Sequence, residues 1–268
     1  YGAVRDVTAA KRAESEILRL NATLEERVRE RTRELAEANR ELEAFAYSVS
    51  HDLKTPLRAI DGYSQLLLEE HGAALEGEAR GYLMKLRGGA QRMAQLIEDL
   101  LAYSRVDRRP LREEEVEVAD VVRSVLSELQ HQVSSTGARV TADLGGLRLR
   151  ADREGLAIVL RNLLENALKY SGKGTPPRVQ IDGAASGDVG RVVVRDQGIG
   201  FDMTYHDRIF EVFQRLHRSE EYPGTGIGLA LVRRAVERMK GRVWAESAPG
   251  DGAAFHVELP LAGRRAGA

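Results

Sequence analysis

Residues 45–68 read FAYSVSHDLKTPLRAIDGYSQLLL. Phe45, Val49, Leu53, Leu57, Ile60 and Leu67 recur at roughly helical spacing, which predicts a helix with one apolar seam. His51 lies two residues past Val49, about 200° round the helix at ~100° per residue, so it is expected on a flank away from the seam. Pro56 removes one backbone hydrogen bond and is expected to bend the rod. An imidazole beside a carboxylate, Asp52, is thereby presented just above a kink. A lone histidine on a helix is more often structural or solvated, so its standing rests on its neighbours.

Upstream, Ile17, Leu20, Leu24, Val28, Leu35, Ala38, Leu42, Phe45 and Val49 continue the seam, with Arg31 in the one missing position. This is a heptad pattern with a four-residue insertion near Val28, predicting a parallel two-stranded coiled coil over residues 9–44. Downstream, the helix is expected to end near His71-Gly72, and a short connection leads to Gly77. A second helix then carries Leu83, Leu86, Ala90, Met93, Ile97, Leu100 and Ser104 on one stripe. Two antiparallel amphipathic helices cannot bury both stripes alone. Pairing with a second copy gives a homodimeric four-helix bundle over residues 45–106. Gly88-Gly89 should cost ~1 kcal/mol each relative to Ala in that helix, and close helix approach is the explanation considered.

The chain has 268 residues, which suggests about two domains. Its net charge of −1 gives no bulk electrostatic argument for nucleic acid or an anionic membrane. It has no cysteine, which excludes disulfides and thiolate metal sites and fits a reducing, cytoplasmic setting. No apolar run approaches the ~18 residues of a membrane span. The sequence opens on Tyr1, so it reads as a piece of a longer chain whose membrane tether, if any, lies upstream.

Residues 107–111 form a polar stretch ending near Pro110 and mark the expected hinge. Beyond it, strands are predicted around Val116–Val118, Ala138–Asp143, Leu147–Leu149, Arg178–Ile181, Arg191–Val194, Val243–Glu246 and Ala254–Leu259. Helices are predicted over Val121–Gln130, from an Asp152 cap to Tyr170, and over Thr225–Met239. Three helices against a mixed sheet, not strictly alternating with strands, indicate an α/β sandwich over residues 112–261 rather than a doubly wound fold. Residues 262–268 are expected to be a disordered tail.

Three motifs in this second domain carry chemistry. Asn162, Asn166 and Lys169-Tyr170 fall at i, i+4 and i+7/i+8, hence on one face of a helix whose other side is leucine-rich. Polar groups so placed need partners, and a phosphate-bearing ligand with a hard cation such as Mg²⁺ would supply them. Asp196-Gln-Gly198-Ile-Gly200 follows a Val-Val-Val strand and is either a turn or a carboxylate reading an amino group beside glycines that give room. Gly224-Thr225-Gly226-Ile-Gly228-Leu229 opens a helix, where bare amides and the helix dipole attract phosphate. No Lys-Ser/Thr follows it, so it is not a P-loop.

His51-Asp52-x-x-Thr55-Pro56, with its flanks, resembles the phosphoacceptor box of sensor histidine kinases. The three later motifs, in this order, resemble the ATP-binding fold shared by those kinases, the DNA gyrase B subunit, heat-shock chaperones and mismatch-repair clamps. Residues 1–8, ending Asp6-Val7-Thr8, resemble the close of a PAS sensor domain. The fold class implied is thus α plus α/β: a homodimeric bundle with an N-terminal coiled coil, then an ATP-binding α/β sandwich. The resemblance implies that His51 accepts phosphate, Asp52 orients and deprotonates it, and Thr55 serves phosphatase action. It implies Asn166 as the Mg²⁺ residue, with Asn162, Lys169 and Tyr170 on phosphates and sugar. Asp196, Gly198 and Gly200 would hold adenine, and Gly224, Thr225, Gly226, Gly228 and Leu229 would cradle phosphates. Residues 201–223 would form a lid anchored by Phe210 and Phe213, with Arg215 reaching the γ-phosphate and His217 a bystander. Gln197 stands where the family usually has Asn. The implied partners are a second copy, a response-regulator receiver domain and an upstream sensor. A clamp or chaperone would lack the His51 helix, and a non-catalytic scaffold would not need Asn166, Asp196 and the glycine turn.

Overall fold

A computed structural model describes residues 8–72, 75, 77–106, 110–172, 174–216, 222 and 224–263. Within the first helix, the side chains of 8–15, 35–36, 38–47 and 51 lie outside that description. The PAS-like residues 1–7, the heart of the expected hinge at 107–109, His217 and the end of the tail at 264–268 therefore fall outside the described residues.

The first helix, α1, runs unbroken from Thr8 to Glu70 with Pro56 inside it. The chain divides into two units, residues 1–53 and 54–268. In the first unit Ile17, Leu20, Leu24 and Val28 are all more than half exposed, as seam residues of an unpaired helix must be. Their apolar surface is what a second strand would cover.

In the second unit α1 is followed by α2, Gly77–Val106. Polar contacts join the two: Lys54 to Glu98 at 3.1 Å, Arg87 to Asp61 at 3.0 Å and Gln91 to Asp61 at 2.8 Å. Leu57 and Ala90 are buried, but Ile60, Leu67, Leu86 and Met93 remain exposed. At Gly88 and Gly89 an added Cβ would meet only the guanidinium of Arg92, so close approach of another helix within the chain is not their reason.

After α2 come β1 (Glu114–Glu117), α3 (Val118–Glu128), α4 (Gln130–Thr136), β2 (Arg139–Asp143), β3 (Arg148–Ala151), α5 (Arg153–Lys169), β4 (Arg178–Ser186), β5 (Val189–Asp196), α6 (Gly228–Arg238), β6 (Arg242–Ser247) and β7 (Ala253–Pro260). The main sheet is ordered β2-β4-β5-β7-β6 and is mixed, with β2 parallel to β4 and the remaining pairs antiparallel. β1 and β3 form a separate antiparallel pair. The layered α/β reading holds, with local corrections. Val118 begins a helix instead of ending a strand, α4 is a fourth helix, and α6 starts at Gly228 rather than Thr225.

The core lies between the sheet and α3, α5 and α6. Leu149, Leu156, Leu160, Leu163, Ile181 and Leu259 are fully enclosed. Each such side chain contributes ~1.5–3 kcal/mol through burial. Asp152 starts α5 by accepting the Gly155 N–H at 2.7 Å, and its second oxygen takes the Arg112 N–H at 3.0 Å. One buried carboxylate thus caps the helix and fixes the chain entering the domain. β7 is enclosed on both faces. On the side away from the helices its His256 stacks on Trp244 with ring centroids 4.9 Å apart, and its Glu258 bridges Arg191 and Arg242 at 2.6 and 2.8 Å.

Candidate nucleotide site

α5 presents two faces. Leu156, Val159, Leu160, Leu163, Leu164 and Ala167 enter the core, while Asn162, Glu165, Asn166 and Lys169 line an open cleft. The 3.6-residue repeat makes this separation inevitable once the leucines are buried. The Asn162 amide donates to the Ile158 carbonyl at 2.8 Å, which fixes its orientation. Lys169 Nζ lies 3.1 Å from the Tyr170 hydroxyl and 4.4 Å from that ring's centre.

The Asp196 loop closes one end of the cleft. Asp196 Oδ1 accepts the Gly198 N–H at 2.8 Å and the Ala253 N–H at 3.3 Å, and the side chain is buried. Burial pushes its carboxyl above the ordinary range, and the two backbone donors oppose this. Gly198 has no room for a Cβ, which would sit 2.3 Å from the Tyr170 carbonyl oxygen. That carbonyl also accepts the Ile199 N–H at 3.0 Å, so the loop is stitched to the end of α5. Gly200 has φ +59°, and a Cβ there would meet the Ala248 carbonyl oxygen at 2.0 Å.

The glycine turn closes the other end. A Cβ on Gly224 would reach Lys169 Nζ at 2.3 Å, and one on Gly228 would reach Asn162 Oδ1 at 2.7 Å. The missing side chains therefore let this turn press against the polar face of α5. α6 begins at Gly228 without a side-chain cap, leaving its first amides available to an anion. The Thr225 hydroxyl donates to the Asp99 carboxylate on α2.

The two ends are one cleft. Asn166, Tyr170, Ile209, Gln214 and Leu229 line both the space beside Asp196 and the space beside Gly224-Thr225-Gly226. The Asp196 end is walled by Phe201, Ile209, Leu216, Leu229 and Phe255, suited to a flat apolar ring with one polar edge. The opposite end is lined by amides, glycines and Lys169, suited to phosphates. Among the described residues no group of three His, Cys, Asp or Glu side chains is placed to hold a metal ion. Asn166 offers a single amide oxygen, which fits a hard cation carried mainly by phosphate oxygens and water.

Of the residues singled out from sequence, Asn162, Asn166, Lys169, Tyr170, Asp196, Gly200, Arg215, Gly224, Thr225, Gly226, Gly228 and Leu229 line this cleft, and Gly198 backs it. The expected lid needs correction. Phe210 is buried in the core as an anchor, but the Phe213 side chain is 56% exposed, with φ +66°, and does not enter that core. Arg215 donates to the Tyr222 carbonyl at 2.8 Å. His51 lies within α1 and its side chain is outside the described residues, so its expected exposed flank is not described; Asp52 and Thr55 are exposed. Glu165 and Asp99, both at the phosphate end, were missed by sequence reasoning. Glu165 stands one position before Asn166 on the marked face, whereas no local pattern points to Asp99.

Residues 151–263 match the family model of histidine kinase-, DNA gyrase B- and HSP90-like ATPases, and residues 41–109 match that of the His Kinase A phosphoacceptor domain. The chain is 34% identical over 259 residues to the phytochrome-like protein Cph1 of Synechocystis, covering 96% of this chain and 34% of that relative. It is 37% identical over 231 residues to cyanobacterial phytochrome A of Nostoc, covering 86% of this chain and 30% of that one. It thus spans about a third of the curated relatives it matches. Among solved structures, full-length ShkA in complex with AMPPNP superposes with a TM-score of 0.60 at 27% identity, covering 83% of this chain and 47% of that one. No helix among the described residues is long and apolar enough to cross a membrane. The two domains, in this order and with this cleft, place the chain in the sensor histidine kinase family.

Proposed function

We propose that this chain is the kinase portion of a cytoplasmic, homodimeric sensor histidine kinase. It takes a phosphoryl group from ATP onto His51 and passes it to an aspartate on a response-regulator receiver domain. The observation that carries this is the single cleft joining a buried carboxylate, Asp196, to an amide-lined glycine turn, in a chain that also bears the His51 box. ShkA, which shares the fold, was solved with an ATP analogue, and a second relative of the fold, ThkA at 22% identity, was solved in complex with the response regulator TrrA.

In this reading Asp196 accepts a hydrogen bond from the adenine amino group, and Gly198 and Gly200 let its loop pack against the Tyr170 and Ala248 carbonyls, which holds the carboxylate at the ring's edge. Asn162, Lys169 and Tyr170 face the sugar and phosphates and the Gly224–Leu229 turn supplies amides, while Arg215, which lines the Asp196 end and donates to the Tyr222 carbonyl, reaches the γ-phosphate only by leaving that carbonyl. Asn166 would hold Mg²⁺, which offsets phosphate charge when bound. A neutral ring nitrogen of His51 attacks the γ-phosphorus in line, the bond to the β–γ bridging oxygen breaks, and ADP leaves. Asp52 hydrogen-bonds the other ring nitrogen and stabilises the positive charge that develops. Thr55 orients a water for the reverse, phosphatase reaction on the regulator. The α1 seam carries the signal from an upstream sensor. Incubation with γ-labelled ATP should give an acid-labile, base-stable phosphoprotein that vanishes in His51→Gln and Asn166→Ala. Label that resists acid, or that survives His51→Gln, would refute the assignment.

A further inference from the structure

The phosphate end of the cleft has an acidic wall that the proposed chemistry does not use. Asp99 projects from α2, outside the α/β fold, and takes the Thr225 hydroxyl proton on one oxygen. Its other oxygen accepts from Gln95 at 2.8 Å. Thr225 is further engaged by the Ile227 N–H, 3.4 Å from its oxygen. Glu165 lines the same space. Its carboxyl is held above the ordinary range, first by burial and also by the Asp99 charge, against Arg161 and Lys169. The field of Asp99 therefore reaches into the volume where phosphates would lie.

A threonine hydroxyl has one proton to donate. It cannot serve Asp99 and a phosphate oxygen together. A polyphosphate in the turn would also stand against the Asp99 carboxylate, like charge to like. We infer that Asp99 and Thr225 form a latch that ties the phosphate-binding turn to α2 when the cleft is empty and that phosphate-bearing nucleotide breaks. This rests on the ATP reading above and adds its regulation. Beside the latch, α2 is bare at Gly88-Gly89 and faces Phe213, Gly224 and Thr225 across a groove, which leaves the released turn somewhere to go. Coupling of this kind is reciprocal: whatever moves α2 so as to separate Asp99 from Thr225 raises nucleotide affinity by the factor with which nucleotide favours separation.

The test is calorimetric titration of the whole chain with Mg²⁺ plus ADP, Mg²⁺ plus a non-hydrolysable ATP analogue, and adenosine. Asp99→Ala should bind both phosphate-bearing ligands tighter by about five-fold or more. Asp99→Asn, which keeps an acceptor but no charge, should fall between Asp99→Ala and the wild type. Adenosine, having no phosphate, should bind all three alike. Unchanged or weakened binding of the ADP and ATP analogues by Asp99→Ala overturns the latch and makes Asp99 inert or a supporting residue. Equal tightening for adenosine also overturns it. If the wild type binds no nucleotide at all, the ATP reading falls first and takes the latch with it.

Discussion

The helical hairpin and the α/β fold solve the burial problem in opposite ways. The hairpin leaves Leu53, Ile60, Leu86 and Met93 exposed and holds its helices together with polar pairs such as Lys54–Glu98 and Arg87–Asp61. The α/β fold encloses most of its leucines and valines and goes on to bury polar groups, Asp196, His256 and Glu258. A region with apolar surface left over is built for a partner, whereas one with polar groups inside is built around a site or a network. Surface ion pairs contribute ~0–1 kcal/mol each, too little to replace the missing apolar cover. On the homodimer proposed above, the hairpin's stability is tied to assembly, whereas the α/β fold has an enclosed core of its own.

The most direct way to break this contrast is to truncate one leucine in each region. Leu160→Ala empties a fully enclosed position and should cost ~2–5 kcal/mol, read as a drop in the denaturant midpoint of the α/β fold. Leu86→Ala removes an exposed side chain and should leave that midpoint in place. Its effect should appear as weaker self-association in sedimentation at micromolar concentration. Equal loss of intrinsic stability in both variants would mean the hairpin carries a closed core of its own.

The next effect sharpens the polar side of the comparison. In Gly198→Ala the new Cβ meets both the Tyr170 carbonyl and the Asp196 carboxylate too closely, and overpacking of this kind costs ~1–3 kcal/mol. Because both atoms shape the cleft, nucleotide affinity should fall along with thermal stability. Loss of stability with unchanged affinity would detach Gly198 from the site.

How much of this was legible in advance followed the range of the interactions. The α1 and α2 stripes and the polar face of α5 are set by residues three and four apart, so spacing alone revealed them. Asp152 as a cap and Asp196 after a valine strand were likewise local signals. α4 was missed because Gln130–Thr136 has no buried residue and hence no apolar stripe. Val118 was misplaced because it alternates with Val116 like a strand yet opens a helix. Phe213 was expected to anchor the lid together with Phe210, but its backbone turns to positive φ and its N–H is tied to the Gly226 carbonyl at 3.0 Å. Asp99 was invisible for a different reason: it meets Thr225 from 126 residues away in sequence, and no periodicity reports that.

Asp196→Asn should separate site from scaffold. Asparagine keeps the oxygen that accepts from Gly198 and Ala253 but cannot match the charged acceptor, and hydrogen bonds to charged groups are worth ~1.5–3 kcal/mol. Nucleotide binding should weaken by about ten-fold or more on that scale. The empty protein should move the other way. A carboxyl raised above its ordinary 3.8 stabilises the fold below that pH, and this contribution is lost as pH rises through the native value. At neutral pH the unliganded Asn variant should therefore melt no lower than the wild type. A lower melting temperature would show that the charge supports the fold itself.

The smallest effect concerns His256, enclosed on β7 against Trp244, with neither ring nitrogen hydrogen-bonded. Burial holds its pKa below the ordinary 6.5; Glu246, 3.6 Å from Nε2, and Glu258 pull it back up, while Arg191 and Arg195 push it further down. The unfolded chain binds this proton more readily than the folded one. Stability is therefore full above 6.5 and declines as pH falls from there toward the native value. His256→Phe keeps the stack on Trp244 and removes the titration, so its stability should be flatter than the wild type's across that window, as read by thermal melts at closely spaced pH. Curves that stay parallel would mean that Glu246 swings in to meet the imidazolium, and that this polar group is buried without any penalty for its charge.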